Sequence, residues 1–441
     1  MLIAVSLPLT PARADDPLVE PFEHDQWWVD DSPGDGRGWT DYRASDIANN
    51  RIVEGYRANG LGVTIPPYQR RGSGAHHLLP IGMEEGWFRY YLILDDWEAT
   101  TSGKLPGFAD VGRLTARGCN PSTGVDPGWS ARTMFWPPGT QEAGGNQIRL
   151  GSYIYHLDQA GTCADEIPWS LDGGVVNQNR WYCIEGHVRM NTPGSADGVL
   201  QAWVDGKQVL KRTDLRFRRS NERQTVKLRS MWLDVYFGGS TVANTTNLSL
   251  RLDQLVVRDN GRVGCTPYFT DITGNIHAAN IEALWRDRVI FGCAHNRYCP
   301  DTHLSRAAML ALIDRYLKPP PTDRDFFTDD NGHWAEAVIN RLAAAGVVKG
   351  CTATTVCPDL PVTRGQIAAF LRRTFDVPSA DSSPFGDIAG TTFADDIAAI
   401  GATGITKGCA ADRYCPSANT RRDQAASLFG RAIAWVERTA P

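Results

Sequence analysis

Between Phe269 and Pro416 the sequence repeats itself every 58 residues. Phe269-Thr-Asp271, Phe327-Thr-Asp329 and Phe385-Gly-Asp387 open the three copies, and Gly292-Cys293, Gly350-Cys351 and Gly408-Cys409 each begin a Gly-Cys-x5-Cys-Pro run. A fixed period of this kind means one small unit used three times, each burying its apolar face against a neighbour. In the middle copy Trp334, Ala335, Val338, Ile339, Leu342 and Ala343 fall on one helical stripe. The Gly before each first Cys reads as the left-handed cap of that helix. After the Cys loop, Thr363-Arg-Gly-Gln366 reads as a capping box opening a second helix, with Ile367, Phe370 and Leu371 as its buried positions.

The six repeat cysteines pair most simply as Cys293 with Cys299, Cys351 with Cys357, and Cys409 with Cys415. Each copy offers two sulfurs with five residues between them, not the four convergent ligands of a zinc site. Ten cysteines in all suit an oxidising compartment. The other four, Cys119, Cys163, Cys183 and Cys265, allow three connectivities, which the sequence leaves open. The N-terminal run Met1-Leu-Ile-Ala-Val-Ser-Leu-Pro-Leu9, with Pro11-Ala-Arg-Ala14 behind it, reads as the remnant of a secretory signal peptide over 1–14. No other stretch has the apolar length of a spanning helix. A net charge of -5 offers no general attraction for nucleic acid.

Phe-x-Asp, an amphipathic helix, Gly, and a second helix opening on Thr-Arg together resemble the S-layer homology (SLH) module. The resemblance covers 266–437, as repeats over 266–320, 324–378 and 382–437. It implies an all-α three-repeat domain that binds a cell-wall polysaccharide, with Arg306, Arg364 and Arg422 in the position of the glycan-binding arginine. A planar guanidinium suits a sugar carboxylate. Only the middle copy keeps the motif well. Ser305-Arg-Ala-Ala308 lacks its acidic residue and Arg421-Arg-Asp-Gln424 lacks its Thr.

Residues 15–262 change character to short alternating runs broken by Gly, Asp and Pro, the pattern of an antiparallel sandwich. Leu200 to Val209 reads as a hairpin on Asp205-Gly206; Trp181–Glu185 and Leu252–Val257 read as further strands. Five ordered segments, Gly103-Lys-Leu-Pro-Gly107, Trp129-Ser-Ala-Arg-Thr-Met134, Tyr153-Ile-Tyr155, Asn191 to Gly198 with Trp203-Val-Asp-Gly206, and Phe237-Gly-Gly239, are similar to polysaccharide lyase family 14, the alginate and glucuronan lyase type. That resemblance implies a concanavalin A-like β-jelly roll and β-elimination on a uronate polymer. Its catalytic set maps to Lys104, Ser130, Arg132, Tyr153 and Tyr155.

Residues two apart on a strand share a face, so Ser130 joins Arg132 and Tyr153 joins Tyr155, while Ala131 and Ile154 face the core. The chemistry needs such groups. The C5 proton of a uronate is lost only when its carboxylate is neutralised and the developing enolate is stabilised. Arg132 and Lys104 supply charge, Ser130 a hydrogen bond, and Tyr155, helped by Tyr153, takes and returns the proton if neighbouring cations lower its pKa. His156 is on the opposite face. His76-His77 has no further ligands at metal spacing and reads as structural. A Pro- and Gly-rich insertion, 137–145, separates Arg132 from Tyr153.

The expectation is a secreted protein, associated with the cell surface or cell wall, that cleaves an acidic polysaccharide without cofactor or metal. The alternative is a non-catalytic carbohydrate-binding or structural S-layer-associated protein on the same fold.

Overall fold

The computed structural model describes residues 18–23, 39–40, 48–57, 59–110, 129–159, 164–222, 226–237, 244–294 and 296–439. Residues 1–14, expected to be a signal-peptide remnant, the Trp27-Trp28 pair, Cys119, Cys163 and Gly238-Gly239 lie outside them. The chain divides into two compact units, one ending at Thr266 and the other beginning at Pro267. Among the described residues no helix is long and apolar enough to cross a membrane.

Among the described residues the first unit is built of β-strands, with one four-residue helical turn at Leu171–Gly174. Its strands are β1 (Leu18–Glu20), β2 (Trp39–Thr40), β3 (Asn50–Glu54), β4 (Asn59–Ile65), β5 (Arg71–Met83), β6 (Glu85–Asp95), β7 (Gly103–Ala109), β8 (Ser130–Phe135), β9 (Ile148–Tyr155), β10 (Asp165–Pro168), β11 (Val175–Val176), β12 (Tyr182–Arg189), β13 (Gly198–Val204), β14 (Lys207–Leu215), β15 (Leu228–Phe237) and β16 (Leu248–Arg258). They form two antiparallel sheets. One runs β14-β13-β12-β6-β16-β4-β3 with β1 against β16; the other runs β10-β9-β8-β7-β15-β5-β2 with β11 against β9. Neighbours such as β7 and β15 lie more than a hundred residues apart in sequence, as in a jelly roll.

Period-two alternation explains the core. Ala131, Ile154, Met231, Leu233 and Val235 enter one apolar cluster with Phe88, Leu92, Ile184 and Leu252 of the facing sheet. The hairpin turn falls at Asp205-Gly206, both at positive φ. Cys183 pairs with Cys265, tying the chain after β16 to β12, where Arg262 also pairs with Glu185.

The second unit is helical. Each repeat gives a first helix, α1 (Ala278–Arg286), α3 (Glu336–Ala344) or α5 (Ala394–Ala402), and a second, α2 (Arg306–Leu317), α4 (Arg364–Thr374) or α6 (Arg422–Thr439). The partner of each second helix is the first helix of the next copy: α2 packs on α3, α4 on α5, and α6 on α1. Backbone bonds close the same cycle. Val362 N–H donates to Leu304, Thr420 N–H to Val362 and Leu304 N–H to Thr420, each near 3 Å. Thr363 and Gln366 make the expected capping box.

Two expectations change. Trp334 is 65% exposed, while Ala335, Ile339 and Leu342 carry the buried stripe. The helix begins only at Glu336, so Trp334 precedes the stripe and leaves it. The loop glycines are not helix caps either, since α3 ends at Ala344 and Gly346 takes the left-handed turn. Gly350 is required by close approach: an added Cβ would lie 2.3 Å from the Thr352 and Thr355 carbonyl oxygens.

Candidate functional site

In each repeat the Asp of Phe-x-Asp organises the Cys loop. Both carboxylate oxygens of Asp329 accept from backbone, Val356 N–H at 2.7 Å and Cys357 N–H at 2.8 Å; Asp271 and Asp387 do the same for Tyr298-Cys299 and Tyr414-Cys415. Disulfides join Cys293 to Cys299, Cys351 to Cys357 and Cys409 to Cys415. Among the described residues two groupings of cysteine and carboxylate side chains have metal-like proximity, Cys183 with Glu185 and Cys265, and Asp329 with Cys351 and Cys357. Their sulfurs are spent in disulfides and are not thiolates.

The loop so built presents a carbonyl to the neighbouring copy. Arg306 Nε donates to Val356 O at 2.8 Å, Arg364 Nε to Tyr414 O at 2.7 Å, and Arg422 Nε to Tyr298 O at 2.9 Å. The arginines of the SLH-like motif therefore join repeats, and Arg306 and Arg364 are buried doing so. Arg306 keeps a buried Nη2 without a protein partner, whereas Arg422 Nη2 donates to Phe291 O.

The sandwich brings all five sequence-selected residues onto one face of the second sheet, the face turned away from the core. Strand register sets them side by side: Ser130 opposite Tyr155, Arg132 opposite Tyr153, and Lys104 opposite both Met134 and Tyr236. All five are buried, although none belongs to the inter-sheet core cluster. Lys104 Nζ sits 4.0 Å from the Tyr153 ring centre and 4.7 Å from that of Tyr236. The Tyr153 and Tyr155 hydroxyls are 3.4 Å apart.

β15 contributes residues that sequence reasoning missed. Asp234 Oδ2 accepts from Arg132 Nη1 at 2.6 Å, with both side chains almost fully buried, and the Tyr236 hydroxyl also accepts from Nη1 at 3.3 Å. His76 of β5 stacks on Trp232 with ring centres 4.2 Å apart, and its Nε2 is 3.9 Å from Asp234 Oδ1. His76 thus faces the site, while His77 points to the other side against Trp39. His156 pairs with Asp165 at 2.8 Å. The 137–145 insertion folds into local turns, with Gln141 O held by Arg149.

Three polar atoms here are buried without a hydrogen-bond partner: Ser130 Oγ, Arg132 Nε and Asp234 Oδ1. Buried polar atoms are normally paired, so a cluster of orphans marks a place built for something else to bind.

The charges are also arranged. Burial, then the Arg132 guanidinium, pushes the Lys104 ammonium down to about 8, against the opposing pull of Asp234 and Glu166. Burial works against the charges of Arg132 and Asp234, but Tyr236 and Asp234 keep Arg132 firmly protonated. His76, Arg132 and Arg71 hold the Asp234 carboxyl below its usual range. Tyr153 moves upward, through burial first and then the Tyr155 hydroxyl. Arg132 pulls the other way, but loss of water outweighs it.

The family model described as Polysaccharide lyase 14 matches residues 81–250, and the S-layer homology domain model matches residues 326–368. An uncharacterized cell wall amidase of Bacillus anthracis is 30% identical over 124 residues, 26% of this chain and 22% of that protein. This chain thus spans only about a fifth of that relative's length. Among solved structures, a variant of alginate lyase Aly36B in complex with alginate tetrasaccharide is similar at TM-score 0.42 and 21% identity, covering 50% of this chain and 86% of that one. The PL-14 alginate lyase from Aplysia kurodai is similar at TM-score 0.40 and 17% identity, covering 50% and 92%. The chain therefore carries a polysaccharide lyase 14 domain over residues 81–250 and an S-layer homology domain over residues 326–368.

Proposed function

We propose that this protein is a secreted, cell-surface polysaccharide lyase that cleaves a uronate-containing acidic glycan by β-elimination and is held at the cell wall by its three repeats. The observation that carries the reading is the cluster of orphaned buried donors, Ser130 Oγ and Arg132 Nε, beside a lysine brought near neutrality and a pair of tyrosine hydroxyls.

In this reading Arg132 and Ser130 hold the uronate carboxylate and stabilise the enolate as it forms. Neutral Lys104 takes the C5 proton onto Nζ. The electron pair left behind forms the C4=C5 double bond, the C4–O4 bond breaks, and the Tyr155 hydroxyl gives its proton to the departing oxygen. Transfer of the proton from Lys104 to the Tyr155 phenolate restores both groups. The base is Lys104 here, not a tyrosine, because Lys104 is pushed toward its proton-accepting form while burial opposes a Tyr153 phenolate. Tyr153 supports Lys104 with its ring and Tyr155 with its hydroxyl.

Incubation with alginate, glucuronan and other uronate polymers, followed by ultraviolet absorbance of the unsaturated product, tests the proposal. Lys104→Ala and Tyr155→Phe should each lower the rate by roughly 10²- to 10⁴-fold. Retained binding with no absorbance change on any acidic polymer would favour a non-catalytic carbohydrate-binding protein. For the anchor, the polypeptide should sediment with purified cell walls, with Arg306, Arg364 and Arg422 as the proposed glycan contacts through nitrogens not used between repeats.

A further inference from the structure

The catalytic set implied by resemblance contains two cations and no anion, yet the structure places a carboxylate against one of them. Asp234 lies on β15, two strands from Arg132 on β8, with β7 between. β7 does not obstruct the pair, because Arg132 stands opposite Gly107, which has no side chain; a Cβ there would lie 2.5 Å from the Arg132 Cα. The 2.6 Å contact spans that gap. Asp234 Oδ1 remains without a hydrogen bond.

We propose that Asp234 is a positioning residue of this site: its ion pair fixes the Arg132 guanidinium across the strand between them, and it places a buried negative charge among the groups around Lys104. The proposal rests on the lyase reading for its kinetic consequences but not for its electrostatic ones.

Without Asp234 the buried guanidinium would keep its ring contacts but only one side-chain hydrogen bond, the 3.3 Å bond to the Tyr236 hydroxyl, and a displacement of about 1 Å at a reacting centre costs on the order of 100-fold in rate. The charges around Lys104 are Arg132 on β8, Asp234 on β15 and Glu166 on β10, with Tyr153 of β9 and Tyr236 of β15 at its ammonium. Around Asp234 they are Arg132, with His76 and Arg71 of β5. Of the two anions near Lys104, Asp234 is buried and Glu166 exposed, so Asp234 acts with less screening. Removing it leaves Lys104 beside an uncompensated Arg132, and the lysine gives up its proton more readily.

Asp234→Asn keeps the shape and removes the charge. The nitrogen signal of Lys104, assigned through Lys104→Arg and followed by NMR against pH in the full chain, should titrate at lower pH in Asp234→Asn than in the wild type, by at least about half a unit. On a polymer that the wild type cleaves, kcat should fall at least tenfold with KM within about threefold, and the rising limb of the pH profile should move the same way. An unchanged Lys104 titration with unchanged kcat overturns the proposal. If Asp234→Asn does not fold, Asp234→Glu decides. A Lys104 titration like that of the wild type with a lowered kcat supports positioning, and wild-type kcat overturns it. If the wild type cleaves no acidic polymer, the lyase reading fails, while the Lys104 titration still judges Asp234.

Discussion

Arg364 and Tyr414 hold each other twice: the arginine Nε donates to the tyrosine carbonyl at 2.7 Å, and the tyrosine hydroxyl donates to the arginine carbonyl at 2.8 Å. The guanidinium also lies over the ring, 4.8 Å from its centre. Arg364→Ala should destabilise the helical unit by about 2–4 kcal/mol, because it removes a charge-assisted bond and strands a buried carbonyl. Arg306→Ala should cost less, since Val356 replaces the tyrosine and returns no hydroxyl bond. Denaturant unfolding of the two variants checks the order.

Gly350 and Gly346 separate two reasons for glycine. Gly350→Ala drives a Cβ into two carbonyl oxygens and the Phe327 ring, and should cost about 2–4 kcal/mol. Gly346 has φ of 75° but open space around it, so Gly346→Ala should cost about 1 kcal/mol. Melting temperatures of both variants test the distinction.

Asp330 sits where the first repeat has the buried Ile272; it is itself buried and neither carboxylate oxygen has a hydrogen-bond partner. Burial, with Asp325, Asp329 and Glu336 nearby, raises its pKa. A raised folded-state value means that its favourable contribution is complete below the unfolded-state pKa and is lost as pH rises through the folded one. Asp330→Ile should therefore stabilise the repeats at pH 7 by about 1–3 kcal/mol, and the gain should shrink in acid. Parallel unfolding curves at pH 4 and pH 7 measure it.

Lys104 sets the pH dependence expected of the lyase. With the free amine as the proposed base, kcat/KM should rise as pH increases through about 8. A lysine acting only as a cation would give the opposite slope, so one profile separates the two roles.

The helical repeats were largely legible because each copy writes its landmarks at a fixed interval. What the interval does not reveal is which copy a helix packs against, and that α4 packs chiefly on α5, the first helix of the next copy, is seen only in the cyclic closure. In the sandwich, alternation was enough to put Ser130 with Arg132 and Tyr153 with Tyr155. The same alternation along Ser230, Trp232, Asp234 and Tyr236 marks one face of β15, so the signal for Asp234 was present. Nothing local states that β15 lies beside β7, and without that pairing Asp234 was one acidic residue among many. The raised pKa of Tyr153 depended on burial, which depends on every strand around it.

An open stack of helical repeats can gain or lose a copy at either end, since only one joint is disturbed. Here the third copy closes back on the first, with Arg422 Nε donating to Tyr298 O and Thr420 O accepting from Leu304 N–H. A fourth copy would have to open one joint and change the angle at all the others. Copy number in this unit is thus a property of the joint geometry, and gene duplication could enlarge such an anchor only by adding a complete trio.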